Sequence, residues 1–284
     1  MTVAVNDIPR RLRFDLPAAL LCGLAGSIAI ALVFRGGAVP ALVSMTAGWL
    51  AYTTAVFRTW PDSRARTIAN YLAVCGLYGA STTLIDSLQV PTHHAALLAF
   101  DRHWLGETPS VTLAGRFDGW PNDLLSAAYL NYHLYLHWAL LDLLWRPEMW
   151  RRSSYSRVVF PAFAIGFTGY SLFPSCGPEV AFPDLYGSPL QGGGLTRLNE
   201  WIVGHLASRY DAFPSLHVLV TVSLLACDWR WFHTRFWIML LPAAGMIVAT
   251  IPLRLHYAAD LLASTVLIVP ILWLAARGGP NDVE

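Results

Sequence analysis

Eight long apolar stretches dominate the chain, at residues 16–34, 38–57, 67–85, 122–145, 156–175, 212–228, 236–252 and 256–275. Each approaches the roughly 20 residues that a helix needs to cross a hydrocarbon core. Apolar positions run on continuously instead of alternating, which argues for helices and against a β-barrel. The sixth and seventh stretches are short, and the fourth carries Asp123, His133, His137 and Asp142. The expected fold class is all-α, a polytopic integral membrane helical bundle of six to eight transmembrane helices. Eight is the expectation, six or seven if one segment is re-entrant, and no sequence repeat is visible. Two long connections, about 86–121 and 176–211, carry short amphipathic stretches. Leu195, Leu198, Ile202 and Leu206 recur at helical spacing beside Trp201, and Leu97, Phe100 and Trp104 do the same, as in helices lying at a membrane interface. A surface loop with ordinary local helix is the plain alternative.

Composition supports this picture. Of 284 residues, 55% are hydrophobic and only 13% charged, against roughly 25% charged in a soluble domain. Too little polar surface remains to cover a water-soluble globule. A net charge of +1 argues against a nucleic-acid partner, which needs clustered basic residues. All 19 basic residues are arginine and lysine is absent. Arg10, Arg11 and Arg13 precede the first apolar stretch as in a signal peptide, but no A-x-A-like cleavage site follows, so an uncleaved first span is expected. With the N-terminus inside, 13 arginines fall on the cytoplasmic side, leaving the 6 at Arg35, Arg102, Arg116, Arg197, Arg209 and Arg254 outside. Both termini are then cytoplasmic and both long connections extracytoplasmic. Cys22, Cys75, Cys176 and Cys227 form no close pair, so neither a disulfide framework nor a zinc site is suggested.

This topology gathers three polar patches on one side: Tyr170 to Pro178, Asp211 to His217, and Arg254 to Asp260. His256 and Asp260, spaced i and i+4, share a side of the eighth helix. A carboxylate there fixes the imidazole tautomer and leaves the other ring nitrogen free as a nucleophile. Pro214 suits the first turn of the sixth helix. The free N–H groups of that turn and the Ser215 hydroxyl are candidates to hold phosphate oxygens. His217, in the same turn, is placed to protonate a leaving oxygen. Arg254 offers fork geometry for phosphate, with Arg209 a weaker candidate and Gly177 counted with them from the first patch. A lone histidine in a membrane helix has an ordinary alternative in a backbone hydrogen bond. Two histidines, an aspartate and an arginine converging on one face favour function. His133 and His137 have the spacing of a helical metal pair, but no third ligand is identifiable, so interhelical hydrogen bonding is expected. His93 and His94 read as interfacial, and Cys176 as a small packing residue.

Phe213-Pro214-Ser215-Leu216-His217, followed by Arg254-Leu255-His256-Tyr257-Ala258-Ala259-Asp260-Leu261, resembles the second and third motifs of the type 2 phosphatidic acid phosphatase (PAP2) superfamily. The resemblance runs over roughly 95–275 and is strongest to the branch of inositol phosphorylceramide synthases, more distantly to sphingomyelin synthases. Phe100 to Ser110 resembles that branch's Asp-Arg-x-Leu-Phe-Gly-x-x-Pro element, and Tyr129 and Tyr132 sit where it often has paired tyrosines. The phosphatases' first motif, KxxxxxxRP, is impossible without lysine, and Phe173 to Pro178 occupies its place. Glu179 follows where relatives often have arginine, and the phosphatases' Ser-Arg pair is missing.

The resemblance implies N-terminal transmembrane helices over 1–90, a PAP2-like catalytic membrane domain over 91–275 and a cytoplasmic tail over 276–284. It implies that His256 attacks phosphorus, Asp260 orients it and His217 protonates the departing alcohol. The expected function is transfer of a phosphate-containing, phosphoinositol-like head group between membrane phospholipid and lipid alcohol substrates, through a phosphohistidine and at the extracytoplasmic face. No cofactor or metal is expected. A lipid phosphate or polyprenyl diphosphate phosphatase is the alternative, since water in place of the alcohol uses the same residues. A transporter would bring inverted repeats or broken paired helices, which are not visible. A vanadate-dependent haloperoxidase shares the site logic but lacks the spans.

Overall fold

The computed structural model describes residues 16–35, 39–60 and 62–277. Arg10, Arg11, Arg13 and residues 278–284 of the expected tail lie outside the described residues. In chain order the helices are α1 (Leu16–Arg35), α2 (Val39–Arg58), α3 (Arg64–Leu88), α4 (His94–Leu105), α5 (Pro109–Thr112), α6 (Trp120–Trp145), α7 (Met149–Leu172), α8 (Pro178–Ala181), α9 (Gly194–Leu206), α10 (Leu216–Trp231), α11 (His233–Ala249) and α12 (Ala258–Arg277). The protein is all-helical, with no strand among the described residues. The eight long helices stand at the eight apolar stretches. By length and composition three of them, Pro17–Phe34, Val39–Arg58 and Arg64–Leu88, are apolar enough to cross a membrane. α6, α7 and α10 carry more polar residues, some of them paired inside the bundle, as Tyr135, Tyr155 and Asp228 are.

α7 is the central column, packing against α1, α3, α6, α10 and α12. Its Tyr155, Val158, Val159, Phe160, Ala162 and Phe163 are all buried. Outward-facing Leu134, Leu141, Leu241, Val248, Val266 and Val269 are exposed. Apolar surface repeated over several helices suits lipid and not water. One end of the bundle is tied by buried ions. Asp228 on α10 takes Arg235 Nε at 2.8 Å and Nη2 at 2.6 Å, along with the hydroxyls of Tyr135 at 2.7 Å and Tyr155 at 3.1 Å. Arg235 also reaches Asp142 at 2.8 Å. At the same end Arg152 donates to the carbonyls of Asp62 and Arg146. The chemistry-bearing patches lie at the opposite end of these helices.

Two helix starts differ from expectation. The sixth long helix begins at Leu216, not near 212, because Ser215 is its N-cap, accepting from Val218 N at 3.4 Å. Pro214 therefore precedes the cap instead of entering the first turn. Upstream, Ala212 N donates to Ser175 O at 3.0 Å, drawing the chain against the end of α7. The last helix begins at Ala258, since residues 250–257 are wound into turns closed by Leu255 N and His256 N donating to Thr250 O.

The amphipathic stretches do form helices. α9 buries Thr196 and Asn199 while Leu195, Leu198, Trp201 and Leu206 stay exposed. Asp123 on α6 fixes it there, accepting Gly193 N at 2.9 Å and both Thr196 N at 2.9 Å and its hydroxyl at 3.0 Å. A helix that hides its polar side and shows its apolar one is built for a lipid interface.

Candidate active site

The start of α10 and the turn before α12 converge. His217 Nδ1 lies 3.1 Å from His256 Nε2, and Ser215 Oγ lies 3.4 Å from the same nitrogen. The other ring nitrogen of His256, Nδ1, is 3.1 Å from Asp260 Oδ1, an ion-pair contact that falls short of directed hydrogen-bond geometry. Asp260 is fully buried and its Oδ2 accepts Tyr257 N at 2.9 Å. His256 thus lies just outside α12 and not on its side. The i, i+4 contact forms because Asp260, at the third helical position, reaches back over the helix start like half of a capping box.

With Asp260 beside Nδ1, a neutral His256 is best satisfied with its proton there, which leaves the Nε2 lone pair facing His217 Nδ1. Burial alone would push the His256 pKa down, but Asp260 and the nearby Asp211 charge outweigh it and hold the imidazolium above its ordinary range. The His217 ring is flanked by Tyr129 and Tyr132, each 4.7 Å away between centroids. These are the two tyrosines singled out in the sequence.

The remaining candidates are distributed around this pair. Gly177 lies against the turn before α12: a Cβ there would come 2.6 Å from Leu255 O, so only glycine permits the close approach. Arg254 is buried at φ +61°, in the left-handed region that non-glycine residues seldom adopt. Its Nη1 donates to Glu179 Oε1 at 2.7 Å and Ser188 O at 2.8 Å, and its guanidinium lies 4.6 Å over the Tyr186 ring. Glu179 therefore serves as the counter-ion of Arg254. Arg209 is exposed, with its backbone N–H on Thr82 Oγ1 and its guanidinium over Tyr210. The structure thus brings together His217, His256, Asp260 and Ser215, with Gly177 behind the turn, and sets Arg254 and Arg209 in other contacts.

A match to the PAP2 superfamily model covers residues 95–274, more than half of the chain. The chain belongs to the PAP2 superfamily. Membership makes it a phosphatase or phosphotransferase, and with its apolar helices a membrane protein. No curated protein and no solved structure matches it.

One acid next to the histidine pair has no role in the sequence reading. Asp211 accepts the Tyr78 hydroxyl on Oδ2 at 2.7 Å, and burial raises its pKa despite that bond and the opposing pull of His256. Its place four residues before Ser215 was the available signal. His137 is engaged between helices through Nε2, 2.6 Å from Tyr71 OH on α3, while its Nδ1 lies 2.6 Å from His133 O one turn back on α6. Among the described residues no group of three or more His, Cys, Asp or Glu is arranged for a metal. His93 stacks on Phe173 at 4.1 Å, and Cys176 is buried near Ile85 and Tyr210.

Proposed function

We propose that the protein is a lipid phosphotransferase, with His256 the nucleophile, Asp260 its orienting carboxylate and His217 the acid and base. The observation that carries this reading is the 3.1 Å contact between His217 Nδ1 and His256 Nε2, with Asp260 behind. In the free site the two nitrogens satisfy each other, and a substrate phosphorus replaces that contact. Nε2 attacks phosphorus while the bond to the departing oxygen breaks. His217, as imidazolium, gives its Nδ1 proton to that oxygen and becomes neutral. The incoming lipid alcohol then attacks phosphorus, the P–N bond breaks, and the alcohol proton passes to His217. The Ser215 hydroxyl and the free N–H groups of Leu216 and His217 are offered to phosphate oxygens, and Arg254 adds fixed positive charge. Arg209 and Gly177 complete the proposed phosphate-binding set, Gly177 through its seat against the turn.

The lipid part of the substrate has a fitting path. A groove of about 380 Å³, lined only by apolar side chains including Leu97, Phe100, Phe213, Ala259, Ala263 and Val266, lies along the first turns of α12 beside α4. The absence of lysine and the segment in place of the first phosphatase motif support the transferase branch, with a phosphoinositol-like head group and a lipid alcohol acceptor. The arginine-rich end of the bundle supports a cytoplasmic placement of that end, and with it the reading of a multi-pass cell-membrane enzyme with an extracytoplasmic site.

The test is incubation of purified protein with labelled phospholipids, with and without candidate lipid alcohols. Transfer to the alcohol is the expected result. Release of free phosphate alone would support the phosphatase alternative and refute the transferase reading. Wild-type activity in His256→Ala would remove the site assignment. Cytoplasmic labelling of Leu190→Cys would reverse the orientation.

A further inference from the structure

We propose that Asp101 is a positioning residue for His256, acting as the N-terminal cap of α12 from another part of the chain. The inference rests on the reading of His256 as nucleophile. A helix start leaves several N–H groups without intrahelical partners, and Ser, Thr, Asp or Asn at the cap position supplies the missing acceptor. Ahead of α12 stand Leu255, His256 and Tyr257, none of which can do so, and the Tyr257 hydroxyl is buried without a partner. Asp101, fully buried on α4, fills the gap. Its Oδ2 accepts Ala258 N at 3.0 Å and its Oδ1 accepts Ala259 N at 2.9 Å.

Asp101 is itself held. The Thr108 hydroxyl donates to Oδ2 at 2.6 Å, Thr108 N donates to Glu107 Oε1 at 2.9 Å, and Arg102 Nε pairs with that same oxygen at 2.8 Å. Residues 101–108 thus form a chain of polar contacts that ends on the first turn of α12. That turn carries Asp260 and is continuous with His256. If it frays, Asp260 loses its bond to Tyr257 N and the ring of His256 loses its reference. The carboxylate also occupies N–H groups that would otherwise attract phosphate, leaving the start of α10 to bind it.

The test uses the full-length protein in detergent, comparing Asp101→Asn, Thr108→Val and Thr108→Ser for kcat, KM and melting temperature. Asparagine keeps the shape but offers one acceptor oxygen where two are used. A displacement of about 1 Å at a reacting group can lower a rate on the order of 100-fold. We expect Asp101→Asn to lower kcat about 10- to 100-fold with KM within about twofold, at a temperature where it remains folded. Thr108→Val should fall less, and Thr108→Ser should restore the wild-type value. Wild-type kcat in Asp101→Asn, a rise in KM that matches the fall in kcat, or Thr108→Ser no better than Thr108→Val would overturn the proposal. If Asp101→Asn fails to fold, the Thr108 pair decides by the same criterion. Failure of the catalytic reading is separately visible, because His256→Ala would then keep its activity.

Discussion

Asp228→Ala tests how the bundle is tied at the end away from the histidines. Asp228 is fully buried and accepts four hydrogen bonds, two from Arg235 and one each from Tyr135 and Tyr155. Removing it leaves Arg235, whose side chain is 4% exposed, with Asp142 as its one ionic partner among the described residues. Breaking a buried pair by deleting one member costs about 3–5 kcal/mol, because the other charge stays uncompensated. Arg235→Ala should cost a comparable amount, since it leaves the fully buried Asp228 carboxylate with two tyrosine hydroxyls and no counter-ion among the described residues, while Asp142 keeps Arg146 at 2.8 Å. The assay is reversible unfolding in detergent micelles, with the two single variants and the double variant completing a cycle. His217 and Asp228 are eleven residues apart on α10, or about 16 Å at 1.5 Å per residue. Activity of the folded fraction should therefore stay within a few fold of wild type. A loss below about 1 kcal/mol in either single variant, or a cycle that shows no coupling between them, would refute the reasoning.

Three further outcomes follow from the site. Gly177→Ala should lower activity at least about 10-fold in a folded protein, because its Cβ must displace the Leu255 carbonyl beside His256; wild-type kcat would contradict this. Ala263→Phe, which fills the apolar groove, should raise KM several-fold for a long-chain lipid and leave a short-chain analogue unchanged; equal effects on both would deny the groove a role in binding the chain. Glu179→Gln removes the counter-ion of Arg254 and should tighten inhibition by inorganic phosphate or vanadate several-fold, whereas unchanged inhibition would assign Arg254 a structural role only.

The long helices were legible because apolar run length is a local property, and all eight stretches became helices. Their ends were less so. Ser215 and Asp101 decide where α10 and α12 begin, and the second cap comes from 157 positions upstream. Spacing found the His256–Asp260 contact, yet its form depends on a cap rather than on a shared helix face. The convergence of His217 and His256 followed from counting spans. The Glu179–Arg254 pair and the Tyr78–Asp211 bond did not, since each joins segments whose proximity only the packed bundle sets. The exposed apolar side of α9 was visible as periodicity, but the role of Asp123 in holding its polar side inward was not.

The proposed reaction requires a covalent bond between phosphorus and His256. Rapid quenching of the enzyme with a phospholipid radiolabelled at phosphorus, followed by mapping of the acid-labile adduct, measures that bond directly. The expected result is label on His256, absent from His256→Ala and chased into a lipid product when the acceptor alcohol is added. Turnover with no adduct under any quench time, or label on another residue, would contradict it.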